Sequence, residues 1–322
     1  LGSILDSVQP DFDRIEEVLT RHFSSHIPFI NEVCGYILFA GGKRIRPLLT
    51  LLAARLCDRN DEAVYDLGVV PEYLHAASLL HDDVVDGGQL RRGGPPAYKV
   101  WGNKAVILVG DFLYARAIEL ATRFGDVRIA RTIAETVALM SEGEILQLLQ
   151  AKDPSFDEKI YLDVIYRKTA ALISASCRIG ALLAGAGEAE LQAVTNYGHC
   201  LGMAFQMVDD MLDYTADAGE LGKSIGTDFA EGKLTLPLVA ALDRASESDR
   251  EVLLRMLRSG SASPEELSWV RDLLVRNGAL DFTRVRAEAL IGEACRGLAV
   301  FEGSATKGLL EGIAMFVLNR RK

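Results

Sequence analysis

Proline is almost absent from the middle of this chain. None stands between Pro96 and Pro154, or between Pro154 and Pro237. Proline removes a helix donor and clashes with the preceding turn, so such gaps permit long helices. The apolar spacing then supports them. In "RIARTIAETVALMSEGEILQLLQ", Ile129, Ile133, Val137, Met140, Glu144 and Gln147 follow steps of three or four, one stripe of a helix. "YLDVIYRKTAALISASCRIGALLAG" reads the same way, as one helix with Leu162, Ile165, Lys168 or Thr169, and Leu172 in line. "NYGHCLGMAFQMVDDMLDY" aligns Met203, Gln206, Asp210 and Asp213. Alternating strand patterns are scarce, and no glycine-rich linker or short repeat divides the chain. The expectation is one all-α domain over residues 1–322 with about ten or more helices. Breaks are expected near 39–47, 87–96, 151–159, 215–233 and 258–266.

With 322 residues, 49% of them hydrophobic, the chain can bury a large core and is too apolar for disorder. A net charge of −10 argues against nonspecific nucleic-acid binding. The five cysteines are scattered and odd in number, which favours free thiols in a reducing, cytoplasmic setting over a disulfide framework or zinc site. No apolar run reaches the ~18–20 residues of a membrane span. No secretory signal is visible, and the opening Leu1 is what a trimmed sequence would show.

The stretch "LLHDDVVDGGQLRRGGPP" places Asp82, Asp83 and Asp86 at the end of a helix. Like charges at this spacing repel, and a helix C-terminus disfavours anions. A hard cation, the nearby arginines, or both must compensate. Asp82 and Asp86 lie one turn apart on one face, a presentation that suits Mg²⁺. A lone cluster of this kind is most often a solvated helix end. "QMVDDMLDY" repeats the spacing at Asp209, Asp210 and Asp213, with Gln206 one turn earlier, and that repetition changes the odds. If the two helices face each other, the carboxylates form a jaw for several divalent ions.

Basic residues would give such a jaw its object. "GGKRIRP" supplies Lys43, Arg44 and Arg46; Arg91 and Arg92 follow the first cluster; Lys223 and Lys233 follow the second. Lys168 and Thr169 sit in an apolar face, where a cation needs a partner. Carboxylates for Mg²⁺ together with arginine forks and lysine charges describe a diphosphate site, and two separated groups hint at two diphosphates. "GELGKS" lacks the first glycine and the preceding strand of a phosphate-binding P-loop. "EYLH" has the Glu-x-x-His spacing of di-iron bundles, which need two such motifs. His75 falls two turns before Asp82 and can line the same space.

These residues resemble the trans-polyprenyl diphosphate synthases, which elongate prenyl chains head to tail. The resemblance runs through "GGKRIRP", "LLHDDVVDGGQLRRG", "GDFLYARA", "EGEILQL", "YRKTAAL", "GMAFQMVDDMLDY", "LGKSIGTD" and "EGKLTLP", from about position 40 to 237. It implies an all-α prenyl-synthase bundle around a central cavity, a homodimer, and several Mg²⁺ ions per site held by Asp82, Asp86 and Asp209. It also implies catalytic roles for Asp83, Asp210, Asp213, Lys168 and Lys223. Arg91, Lys168, Thr169, Gln206 and Lys223 match contacts to the allylic diphosphate; Lys43, Arg46, His75 and Arg92 match the isopentenyl diphosphate site. The final eighty or so residues match only in helical character.

Two related classes are disfavoured. A terpene cyclase normally mixes Asn, Ser or Thr and Glu in its second metal motif, whereas here it is DDMLD. A non-catalytic modulating subunit tends to lose one aspartate cluster, and this chain keeps both. Ser78, one turn before Asp82, and Ala77 beside it are small, with Leu74 next along that face and Met140 on the deeper stripe. In the resembled family, bulky aromatics near these positions stop growth early. The expectation is therefore a long product, C30 to C50 and octaprenyl as the single choice, rather than farnesyl or geranylgeranyl. A peripheral membrane contact for product release follows from that length.

Overall fold

The computed structural model describes residues 2–88, 90–91, 94–150, 157–215, 227–230, 232–259 and 262–320, with residues 2–7, 227 and 230 described by their backbone alone. The fold is all-α. Among the described residues the one extended pairing is an isolated bridge between Arg91 and Gly94. The helices are α1 (Gly2–His22), α2 (Pro28–Leu38), α3 (Ile45–Leu56), α4 (Glu62–Asp86), α5 (Ala97–Trp101), α6 (Asn103–Thr122) and α7 (Val127–Gln150). They continue with α8 (Glu158–Ile165), a π-helical turn (Tyr166–Ala170), α9 (Ala171–Ala184) and α10 (Glu188–Thr215). After these come α11 (Thr227–Ala230), α12 (Leu236–Arg244), α13 (Glu247–Ser259), α14 (Pro264–Arg276), α15 (Ala279–Gly297), a 3₁₀ turn (Leu298–Val300) and α16 (Ala305–Asn319).

The proline-free stretches do become long helices; of the expected break at 39–47 only 39–44 lies between helices, since α3 starts at Ile45, and around 87–96 α4 ends at Asp86 and α5 starts at Ala97. One expectation is corrected. The segment from Tyr161 onward is not a single α-helix, because five residues, Tyr166–Ala170, form a π turn in which the Ala171 amide donates to the Tyr166 carbonyl. An i→i−5 bond inserts one extra residue, so side chains after it rotate relative to an unbroken stripe. Apolar periodicity does not register such a bulge, since Leu162, Ile165 and Leu172 are apolar in either case.

Contacts divide the chain into two compact units. The first comprises Leu1–Ala138, Leu172–Gly198 and Leu298–Gly312. Here α4 packs against α6, α3, α1 and α2. It buries Leu67, Val70, Tyr73, Leu74, Ala77 and Leu80, and the Tyr73 hydroxyl donates to the Leu19 carbonyl at 2.6 Å. Helix α4 stops after Asp86 because Gly87 adopts φ +63°, the left-handed conformation that glycine accepts without a Cβ clash. Helices α3 and α9 approach backbone to backbone: a Cβ on Gly180 would lie 2.2 Å from the Thr50 carbonyl oxygen. The Thr50 hydroxyl reaches the Ser176 carbonyl at 3.0 Å across the same contact.

The second unit comprises Leu139–Ala171, His199–Gly297 and Ile313–Lys322. Helix α12 packs against α15, α14 and α8. Phe229, Leu238, Leu242, Leu253, Leu273 and Leu274 belong to its core. A capping box starts α14: the Glu266 amide donates to Ser263 Oγ, and the Ser263 amide donates to the Glu266 carboxylate. Both satisfy donors that a helix start leaves open.

The α3–α9 contact predicts that Gly180→Ala destabilises the protein. Overpacking typically costs about 1–3 kcal/mol. The denaturant midpoint should fall with little change in slope; an unchanged midpoint contradicts the close approach.

Candidate active site

In the first unit, α4 carries its three aspartates into two environments. Asp83 turns inward, with its side chain 7% exposed, and accepts from Arg91 Nε at 2.5 Å. The loop bearing Arg91 is braced by paired amide bonds with Gly94, at 2.8 and 3.0 Å. Asp82 is half-buried and Asp86 exposed. Arg91 thus offsets the charge of Asp83, and Asp82 and Asp86 keep solvent-accessible surface.

His75 is half-buried two turns earlier, and its carbonyl accepts from Ser78 Oγ at 2.9 Å. Of the chain-length candidates on α4, Leu74 and Ala77 are fully buried, and Ser78 alone keeps exposed surface. The basic loop before α3 also splits by role. Arg44 is buried at φ 45° and donates to Glu16 at 2.6 Å, Glu72 at 3.0 Å and the Leu38 carbonyl at 2.5 Å. A buried guanidinium requires such partners, and they hold the loop in a conformation that non-glycine residues rarely adopt. Lys43 is exposed on one side of it, and Arg46 is half-buried on the other. Glu72 of "EYLH" therefore serves Arg44.

The second unit repeats the division on α10. Asp210 is buried, accepting from Tyr161 Oη at 2.7 Å and from Gln206 Nε2 at 2.7 Å. Burial, reinforced by the nearby Asp228 charge, holds its pKa well above the ordinary carboxylate range. Burial likewise keeps the Tyr161 phenol protonated, and so a donor. Asp209 is 56% exposed and accepts from Arg320 Nη2 at 2.9 Å. Burial lowers the Arg320 pKa, against the opposing charge of Asp209. Asp213 is half-buried and accepts the Asp228 amide at 3.2 Å.

The π turn presents the next pair of candidates. Lys168 Nζ lies 2.7 Å from Glu144 Oε1 and 2.8 Å from Gln147 Oε1. Thr169 Oγ1 donates to Gln206 Oε1 at 2.9 Å, so Thr169, Gln206, Asp210 and Tyr161 form one hydrogen-bonded chain. Gly143 makes this possible. A Cβ there would meet Arg167 Cβ and the Lys168 amide nitrogen, each at 2.9 Å. Met140 is buried one turn earlier on α7. Arg92 and Lys223 lie outside the described residues.

Hard carboxylate oxygens on successive turns fit a divalent cation of the Mg²⁺ type. Such ions take one or two carboxylates and complete their shell from phosphate and water. Among the described residues, no three or more His, Cys, Asp or Glu side chains are gathered into a closed cage. The donor set fits an ion that shares its shell with substrate.

The sequence profile of the polyprenyl synthetase family matches residues 27–274. This chain belongs to that family. It is 36% identical over 320 residues to the octaprenyl diphosphate synthase of Escherichia coli, covering 99% of each chain. It is 37% identical over 289 residues to a short chain isoprenyl diphosphate synthase of Methanothermobacter thermautotrophicus, covering 88% of each. Among solved structures, a Caulobacter crescentus polyprenyl synthase complexed with calcium and isoprenyl diphosphate superposes with a TM-score of 0.93 at 37% identity. That likeness covers 99% of this chain and 97% of the other. The chain is a prenyltransferase of the trans-polyprenyl diphosphate synthase family.

For a polyprenyl synthase, several site residues escape sequence reasoning. Tyr161 reads as a core aromatic, and only the fold brings its hydroxyl to Asp210. Asp228 stands inside the quoted "LGKSIGTD" without a partner legible from spacing. Arg320 lies in the part of the chain whose pattern is merely helical. Gly143 in "EGEILQL" gives no signal beyond being glycine in a helix, which costs stability unless packing requires it.

Removing the Tyr161 hydroxyl takes one of the two donors from a buried carboxyl. Tyr161→Phe should lower unfolding free energy by about 1–3 kcal/mol, the usual cost of an unsatisfied buried group. Urea titration at neutral pH checks this; wild-type stability contradicts the buried Tyr161–Asp210 pairing.

Proposed function

We propose that this prenyltransferase condenses isopentenyl diphosphate head to tail onto an allylic diphosphate, using Mg²⁺, to build a long all-trans polyprenyl diphosphate of C30 to C50. Octaprenyl is our single choice. The observation that carries this reading is the difference in burial within both clusters: the middle aspartate, Asp83 or Asp210, is enclosed in the protein, while Asp82, Asp86 and Asp209, the last also bonded to Arg320, keep solvent-accessible surface. We assign Mg²⁺ to those three. When bound, it would supply Lewis-acid neutralisation of the departing diphosphate.

The chain's own residues do the rest. Lys168, Thr169, Gln206, Arg91 and Lys223 supply charge and hydrogen bonds for the allylic diphosphate; Lys43, Arg46, His75 and Arg92 supply them for isopentenyl diphosphate. As the C1–O bond of the allylic substrate breaks, the diphosphate takes the electron pair. The double bond of isopentenyl diphosphate attacks C1, and the proton lost from its C2 passes to the released diphosphate, so no dedicated protein base is needed. Water must be kept from the carbocation, which it would otherwise quench. Asp83, Asp210 and Asp213 act by holding the clusters in place.

We read residues 1–322 as one polyprenyl synthase domain, because the family match runs unbroken from 27 to 274 through segments of both units. A homodimer is supported by large apolar side chains left exposed: Ile107 and Leu108 on α6, and Ile145, Leu148 and Leu149 on α7. Five free cysteines support a reducing, cytoplasmic setting. Among the described residues no helix is long and apolar enough to cross a membrane. The apolar length of the proposed product is what leads us to assign a peripheral membrane contact for its release.

Asp82→Asn and Asp209→Asn should each lower kcat by orders of magnitude with the fold intact by circular dichroism, and chelator should abolish wild-type activity. Near-normal turnover in both variants, or activity in chelator, overturns the metal assignment. Product length is tested separately. Incubation with Mg²⁺, isopentenyl diphosphate and farnesyl diphosphate, followed by mass spectrometry, should give C30 to C50. Ser78→Phe should shift products toward C15 or C20 without abolishing condensation. Wild-type products ending at C15 or C20, or an unchanged distribution in Ser78→Phe, contradict the long-chain reading.

A further inference from the structure

Arg320 follows directly on α16, outside the residues matched by the family profile. Its side chain is only 5% exposed, yet it ends on a carboxylate that is 56% exposed. Nη2 donates at 2.9 Å to Asp209 and at 2.9 Å to the Phe205 carbonyl, one turn earlier on α10. The guanidinium also lies over the Phe205 ring, 4.0 Å from its centroid. A buried cation is costly unless it is paired, and this one takes its pairing from the rim of a helix whose next carboxylate, on Asp210, is already held by Tyr161 and Gln206. A planar guanidinium can do both at once, with Nη2 bonded to the helix and its flat face packed on the ring.

We propose that Arg320 is a positioning residue for Asp209, fixing one carboxylate oxygen so that the other is presented to the cation. The inference rests on the assignment of Asp209 to Mg²⁺. The bond to Arg320 selects one rotamer of an otherwise mobile surface side chain, and the entropy of ordering that side chain is then lost on folding rather than on metal binding. Partners that orient metal ligands in this way commonly contribute ten- to hundredfold to metal affinity.

The test is Mn²⁺ binding to the full chain in the presence of inorganic diphosphate, followed by the loss of the free-ion electron paramagnetic resonance signal. Wild type, Asp209→Asn, Arg320→Ala and the double variant are compared. Arg320→Ala should weaken Mn²⁺ binding about ten- to hundredfold, and should weaken it no further in the Asp209→Asn background. Arg320→Met keeps a cover over Phe205 while removing every donor, and it carries the same expectation if the alanine variant does not fold. Wild-type affinity in a folded Arg320 variant overturns the proposal. So does a full Arg320 effect on top of Asp209→Asn, which would mark a purely structural role. Unchanged binding in Asp209→Asn alone would instead remove the assignment of Asp209 to the metal.

Discussion

A carboxyl group carried out of water must find hydrogen-bond partners, and the structure is arranged around two that do. Asp210 is enclosed on α10 and held by Tyr161 and Gln206, and Asp83 is enclosed on α4 and held by Arg91. Burying an ionisable group without such partners costs several kcal/mol or neutralises it. The pairing fixes the rotation of each helix end. Once Asp83 points inward, Asp82 and Asp86 must point elsewhere; once Asp210 points inward, Asp209 stays at the surface. A DDxxD sequence thereby becomes an anchor and a set of solvent-accessible carboxylates on the same turn.

The same bonds reach the substrate-contacting candidates. Gln206 donates to Asp210 and accepts from Thr169, so the anchor of the second cluster also orients a residue of the π turn. That turn tolerates its extra residue because Gly143 leaves room for the Lys168 backbone. Lys168 then meets Glu144 and Gln147 from the helix that carries Gly143. A π bulge costs hydrogen-bond geometry, and such bulges recur at functional sites. Here Lys168 and Thr169 both lie within it, each with a polar partner.

Much of this architecture is legible in the sequence. Proline spacing and apolar periodicity identify α7 and α10, because a long helix needs only an uninterrupted stripe; α4 carries Pro71 and is marked instead by its terminal aspartates. The repeated aspartate spacing identifies the two clusters, since two such groups on apolar helices need compensating partners that an apolar core does not supply. Other features depend on tertiary contacts that spacing does not encode. Lys43, Arg44 and Arg46 look equivalent in "GGKRIRP", yet Arg44 is buried on Glu16 and Glu72 and braces the loop for its neighbours. The apolar residues around Lys168 fit an α-helix as well as a π turn. Arg320 reaches Asp209 from 111 residues away, and only the folded chain brings Tyr161 to Asp210.

The central claim is that the outer aspartates, and not the inner ones, carry the metal. Anomalous diffraction from crystals grown with Mn²⁺ and an unreactive allylic diphosphate analogue tests it most directly. Anomalous peaks are expected within coordination distance of Asp82, Asp86 and Asp209, with Asp83 still on Arg91 and Asp210 still on Tyr161. Peaks coordinated by Asp83 or Asp210, or none at either cluster with the analogue bound, would contradict it.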